Sequence, residues 1–166
     1  MSTNVIKIIL ADDHELVRTG IRRILDDVSD FSVVAEAKNG EDAVKYCRQN
    51  APDIVLMDVN MPGMGGLEAT KKIVRMSENT RVICLSMHKE HPIPSQVMQI
   101  GAFGFLTKDA DPDEMIRAIY KVHSGQKFLP PEIAQSIAIS KLAPDADNPF
   151  DNLSSRELNI AMRLTK

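Results

Sequence analysis

Five times between Val5 and Gly125, a short apolar run is followed by a segment whose apolar positions recur at helical spacing. The runs are Val5 to Leu10, Phe31 to Ala35, Asp53 to Met57, Arg81 to Leu85 and Phe103 to Leu106. They are almost continuously apolar, whereas a strand with one wet face would alternate. Continuously apolar strands separated by helices predict a parallel sheet covered on both faces. Right-handed crossovers then give an α/β, flavodoxin-like, doubly wound five-stranded sheet in the order 2-1-3-4-5.

The helical stripes can be read residue by residue. Val17, Ile21, Ile24, Leu25 and Val28 mark the first, and Ala43, Val44 and Cys47 mark a second that Gly40 opens. A third is expected from about Leu67 to Met76 and a fourth from Ser95 to Ile100. The fifth has the clearest punctuation. Asp111 is placed to cap it, Pro112 suits its first position, Glu114 completes a capping box and Gly125 can end it.

After Gly125 the pattern changes. Pro130 and Pro131 precede a helix with Ala134, Ile137 and Ala138 on one side, and the stretch from Ala143 to Phe150 reads as a linker. Ser154 and Glu157 form a second capping-box signature ahead of Leu158, Ala161 and Leu164. The expected organisation is a domain over 1–128, a partly helical linker over 129–150, and a helical fragment over 151–166 that needs packing partners.

Composition excludes several classes. The 20 basic and 23 acidic residues leave a net charge of -3, so there is no global basic surface for nucleic acid. No signal peptide and no membrane-length apolar run is visible. Two cysteines in apolar settings, Cys47 and Cys84, read as buried free thiols in a reducing compartment, which points to the cytoplasm.

In open α/β sheets ligands sit beyond the carboxyl ends of the strands. The residues there are Asp12, Asp13 and His14 after the first strand, Asp58 after the third, Ser86 after the fourth, and Thr107 and Lys108 after the fifth. The topology places those ends together. Two carboxylates ~4 Å apart repel by about 4 kcal/mol at an effective dielectric of ~20, which a hard divalent cation relieves. Asp13 and Asp58 are expected to bind Mg²⁺ directly, with Asp12 acting through water and the backbone carbonyl of Asn60 as a further ligand. Lys108 would keep Asp58 ionised as a nucleophile for phosphorus. Ser86 would then contact a phosphoryl oxygen, vacating space for Phe105. Asn60 and His88 flank the acceptor and are candidates for tuning its hydrolysis.

Taken singly, each residue has a plainer role: a helix cap for Asp12 or Asp13, a turn for Asp58, a surface lysine for Lys108, core packing for Phe105. The set carries the reading. A Mg²⁺-dependent phosphatase of the haloacid-dehalogenase kind needs a second aspartate two residues after its nucleophile, and that position is Asn60. This fold also accommodates a flavin-binding module, or an interaction module that is never phosphorylated. Acidic strand ends repel a flavin phosphate, and phosphate uptake at Asp58 separates the second from a phosphorylated domain.

The stretches Ala11-Asp12-Asp13-His14, Val55 to Gly63 and Gly104-Phe105-Leu106-Thr107-Lys108 resemble response-regulator receiver domains, over about Val5 to Gly125. Leu153-Ser154-Ser155-Arg156-Glu157 resembles the start of a LuxR-type helix-turn-helix, the NarL/FixJ class. Within that class, Glu15-Leu16-Val17-Arg18 and Gly40-Glu41-Asp42-Ala43-Val44 are most similar to the GacA/UvrY/SirA/LetA group. The resemblance implies a phosphoacceptor at Asp58, Mg²⁺ at Asp12 and Asp13, and switch residues Ser86, Phe105 and Lys108. It implies a hybrid sensor histidine kinase as donor, acting through a His-containing phosphotransfer domain, and transcription of small regulatory RNAs as output. A homodimer is also expected. Two residues depart from the common pattern: Asp109 follows Lys108 where many receivers have proline, and Phe105 replaces the commoner tyrosine. The helix that would enter the major groove is not in this sequence, and after Phe150 three basic residues face only two acidic ones. Specific DNA binding is therefore expected of a full-length protein and not of this chain.

Overall fold

The computed structural model describes residues 5–87 and 93–142. Five strands, β1 (Ile6–Ala11), β2 (Phe31–Ala37), β3 (Ile54–Asp58), β4 (Arg81–Ser86) and β5 (Gly104–Thr107), form one sheet in the order β2-β1-β3-β4-β5. Every pairing is parallel. The expected topology and its switch point between β1 and β3 are present.

The strands alternate with α1 (Glu15–Asp26), α2 (Gly40–Asn50), α3 (Gly66–Met76), α4 (Ile93–Gln99) and α5 (Pro112–His123). Alternate strand residues divide the core into two layers. Ile6, Ile8, Leu10, Ile54, Leu56, Ile83, Leu85 and Leu106 pack with Ile21 and Leu25 of α1 and Met115, Ala118, Ile119 and Val122 of α5. The intervening residues, including Ile9, Val55, Met57, Cys84 and Phe105, are buried on the other side, where α2, α3 and α4 contribute Ala43, Val44, Cys47, Ala69, Ile73 and Val97. Burial on both faces is why the strands read as unbroken apolar runs. Among the described residues no helix is long and apolar enough to cross a membrane.

The strands extend one or two residues further toward their carboxyl ends than the apolar runs alone suggest. Asp58 and Ser86 are the last residues of β3 and β4, and both are buried. The expected cap of α5 is only partly realised. Pro112 does open the helix and Gly125 follows it with a φ of +99°, but the Asp111 side chain makes no capping hydrogen bond. Its backbone carbonyl accepts from Met115 N, the ordinary first bond of the helix, without the side-chain bond of a capping box.

The first compact unit ends at Ile133. A further helix, α6 (Pro131–Leu142), begins at its end, with Pro131 in the first-turn position that spares a backbone hydrogen bond. The second unit runs from Ala134. The segment expected as a linker beyond Leu142, the 151–166 fragment and His88 lie outside the described residues.

Candidate phosphoacceptor site

The carboxyl end of β1 delivers Asp12 and Asp13, and parallel pairing to β3 sets Asp58 beside them. Ligand atoms of Asp12, Asp13, His14 and Asp58 all lie within 4.8 Å of one another. Asp12 and Asp58 are 0% and 1% exposed, while Asp13 and His14 are open to solvent. The cluster is thus a shallow pocket with a dry floor and a wet rim.

Lys108 closes it from the end of β5. Its N–H donates to Ser86 O at 2.9 Å, which fixes the chain just past the strand. Its Nζ stands 3.0 Å from Asp12 Oδ2 and 3.0 Å from Asp58 Oδ2. These are ion-pair distances without aligned hydrogen bonds, because neither Oδ2 has a hydrogen-bond partner of good geometry. One ammonium therefore balances two buried carboxylates.

That arrangement shows in the proton affinities. Burial is the largest influence on Asp58, and it outweighs Lys108, so the pKa is pushed up to about 6; the neighbouring Asp12 adds to the rise. Burial alone would lower the Lys108 pKa, but Asp12 and Asp58 together reverse this and the net shift is upward. Lys108 favours the ionised form of Asp58, as its position after β5 suggests, but desolvation is the larger effect.

The other candidates take distinct places. Asn60 is exposed, and its N–H donates to Asp58 Oδ1 at 3.1 Å, so the loop after β3 steadies the carboxylate. That loop is drawn in tightly at Gly66, where a Cβ would lie 2.0 Å from the Asp58 carbonyl oxygen. Ser86 is fully buried. By strand alternation it shares a face with Phe105, also fully buried, and not with Asp58. A cleft of about 290 Å³ lies elsewhere, lined by Cys47, Arg48, Ala51, Met76 and Ser77. Its lining has no carboxylate and comes from the C-terminal ends of α2 and α3, so the pocket around Asp58 is the candidate site.

Two residues take roles that sequence reasoning did not assign. His14 Nδ1 lies 3.3 Å from Asp12 Oδ1 and 3.2 Å from Asp13 Oδ1. Arg18 is a buried cation behind the cluster, with Nη1 donating to the Asp12 carbonyl at 2.8 Å. Its position on the Ile21 and Leu25 side of α1 was the available signal: a charge in an apolar stripe.

Residues 8–120 match the response regulator receiver domain family. The chain belongs to that family. It is 53% identical over 163 residues to the response regulator UvrY of Escherichia coli strain K12, covering 98% of this chain and 75% of UvrY. Identity to the response regulator GacA of Pseudomonas aeruginosa is 47% over 161 residues, covering 96% of this chain and 75% of GacA. Among solved structures, a LuxR-family two-component response regulator from Aurantimonas sp. SI85-9A1 superposes with a TM-score of 0.79 at 37% identity, covering 84% of this chain and 99% of that one. This chain is thus the receiver of a two-component response regulator of the UvrY/GacA type, a class that regulates transcription through a DNA-binding output domain.

Proposed function

We propose that Asp58 accepts a phosphoryl group and that the resulting acyl phosphate controls the output domain. The observation that carries this is the buried Asp58 carboxylate held with Asp12 around one ammonium at the sheet's carboxyl edge. An ordinary turn aspartate would be solvated and unperturbed.

The three acids offer hard oxygen donors, and two buried carboxylate oxygens lack aligned hydrogen bonds, which suits Mg²⁺. Asp12, Asp13, Asp58 and the Asn60 carbonyl would hold it, and the ion would supply positive charge beside the phosphoryl oxygens. The chain's own residues do the rest. An oxygen of Asp58 bonds to phosphorus as the P–N bond of a donor phosphohistidine breaks, and the released imidazole takes a proton from solvent. Asp58 is mostly ionised above its pKa of about 6, so it is competent near neutral pH. Lys108 Nζ, already at the carboxylate, is placed to pair with the transferred group.

Phosphorylation adds about -1.5 to -2 charges at this point. Ser86 and Lys108 would gain bonds to the phosphoryl oxygens in the active form, and Phe105 would repack as Ser86 moves. The changed surface on α4, β5 and α5 would then form a homodimer or release the output domain. The donor is proposed to be a hybrid sensor histidine kinase acting through a His-containing phosphotransfer domain, and the setting the cytoplasm, where the buried free thiols Cys47 and Cys84 stay reduced. The chain catalyses only its own phosphoryl transfer and slow dephosphorylation, which Asn60 and His88 would tune.

The test is label uptake from radioactive acetyl phosphate. Incorporation that requires Mg²⁺ and disappears in Asp58→Asn supports the proposal. Incorporation that survives in Asp58→Asn refutes it.

A further inference from the structure

The polar atoms of Asp12 each face a different residue of the fold. Its N–H donates to Ala37 O at 3.0 Å, at the end of β2. Its Oδ1 accepts from His14 N at 2.8 Å, and its Oδ2 faces Lys108 at 3.0 Å. Its carbonyl accepts from Arg18 Nη1 at 2.8 Å. Arg18 is only 6% exposed, a costly place for a cation unless it is well paired. The pairing comes from Glu36 on β2, whose Oε1 accepts from Arg18 Nε at 2.7 Å, while Arg22 binds the other Glu36 oxygen.

Arg18 thus reaches across from α1 with two bonds of different kinds. One fixes the peptide between Asp12 and Asp13, the two acids of the pocket, and the other anchors the guanidinium to the neighbouring strand. The planar fork can make both bonds at once, which a lysine ammonium on a single flexible stem cannot reproduce. Ile21 and Leu25 on the same stripe pack into the apolar core, whereas Arg18 directs its donors to Asp12 and Glu36.

We infer that Arg18, clamped by Glu36, is a positioning residue that sets Asp12 and Asp13 for divalent-cation binding at the phosphoacceptor site. This rests on the proposed Mg²⁺-dependent role of the Asp58 pocket. The charge stays behind the carbonyl and does not touch a phosphoryl group. Its loss should therefore weaken the hold on the cation without removing the nucleophile. Outer partners that orient metal ligands change affinity by about 10- to 100-fold when removed.

The experiment uses the whole chain with Mg²⁺ alone as probe, followed by isothermal titration. Phosphorylation by acetyl phosphate is measured in parallel across Mg²⁺ concentrations. For Arg18→Ala, Mg²⁺ affinity should fall about 10-fold, while the rate at saturating Mg²⁺ returns to near wild type. Arg18→Lys should recover only part of the affinity. Glu36→Gln, at a half-buried surface position, should weaken Mg²⁺ in the same direction by a smaller factor and decides the matter if Arg18→Ala does not fold. Arg22→Ala is the control, because Arg22 binds Glu36 without touching Asp12, and its Mg²⁺ affinity should be close to that of wild type. Unchanged affinity in folded Arg18→Ala or in Glu36→Gln overturns the inference, as does a loss in Arg22→Ala as large as in Arg18→Ala. Failure of the wild-type chain itself to bind Mg²⁺ or take up phosphate would instead overturn the functional proposal beneath it.

Discussion

Replacing Asp58 by asparagine should make this receiver more stable in metal-free buffer, and by an amount that depends on pH. The carboxylate is buried, and its pKa rises from 3.8 to about 6 in the folded chain. At about 1.4 kcal/mol per pH unit, the folded protein disfavours the ionised form by about 3 kcal/mol. The sign follows from proton linkage. Between the two pKa values the folded state binds more protons than the unfolded state, so wild-type stability falls as pH rises through this window. Asparagine does not titrate, keeps an oxygen for the Asn60 N–H, and leaves Lys108 paired with Asp12. The advantage of Asp58→Asn over wild type should therefore grow from about pH 4 to pH 6 and level off above, reaching at most about 3 kcal/mol. For a domain of this size that is on the order of 10 °C in Tm. Thermal melts in EDTA at pH 8 and pH 5 read it directly. Saturating Mg²⁺ should stabilise wild type and narrow the gap, because a ligand for the folded state adds stability only where it binds. An Asp58→Asn chain no more stable than wild type at pH 8, or an advantage that persists undiminished at low pH, would refute the reasoning.

Other perturbations follow from the same geometry. Lys108→Ala leaves two buried carboxylates without their cation and should cost about 3–5 kcal/mol in metal-free urea unfolding, partly restored by Mg²⁺. Gly66→Ala would place a Cβ 2.0 Å from the Asp58 carbonyl and 2.8 Å from Val59 Cα, so it should destabilise by about 1–3 kcal/mol and slow phosphorylation. Gly20→Ala, within α1 and with nothing within 4 Å of the new Cβ, should instead stabilise by about 0.5–1 kcal/mol. Asn60→Ala and His88→Ala should each change the lifetime of the phosphorylated state, measured by loss of label after removal of the donor, and unchanged lifetimes would dispose of the tuning role.

Much of this was legible in the sequence, for a physical reason. Strands buried on both faces must be apolar throughout, so their polar terminators stand out, and Asp12, Asp58, Ser86 and Lys108 are such terminators. The topology then follows from crossover handedness, and with it their convergence. Side-chain direction was less accessible. Strand alternation puts Ser86 with Phe105 on the face away from Asp58, a distinction that depends on where each strand ends. Arg18 illustrates a different limit. A charge on an apolar stripe signals an internal partner, but Glu36 lies eighteen positions away on β2, and only the folded chain shows that they meet. The α5 start shows the converse, a capping signature at Asp111 and Glu114 whose side-chain bond is not made. Nor does sequence foretell that Ala51, a residue with a Cβ, ends α2 at a φ of +46°. The usual signal for that geometry is glycine or asparagine, and here it is absent.

The central claim is that the acid pocket directs one labile phosphoryl group to one carboxylate. Its most direct test is to treat the chain with acetyl phosphate and Mg²⁺, reduce it with borohydride so that an aspartyl phosphate becomes homoserine, and locate the change by peptide mass. Conversion confined to position 58 is the predicted result. Conversion at Asp12 or Asp13, or none at all under conditions where the chain binds Mg²⁺, would contradict it.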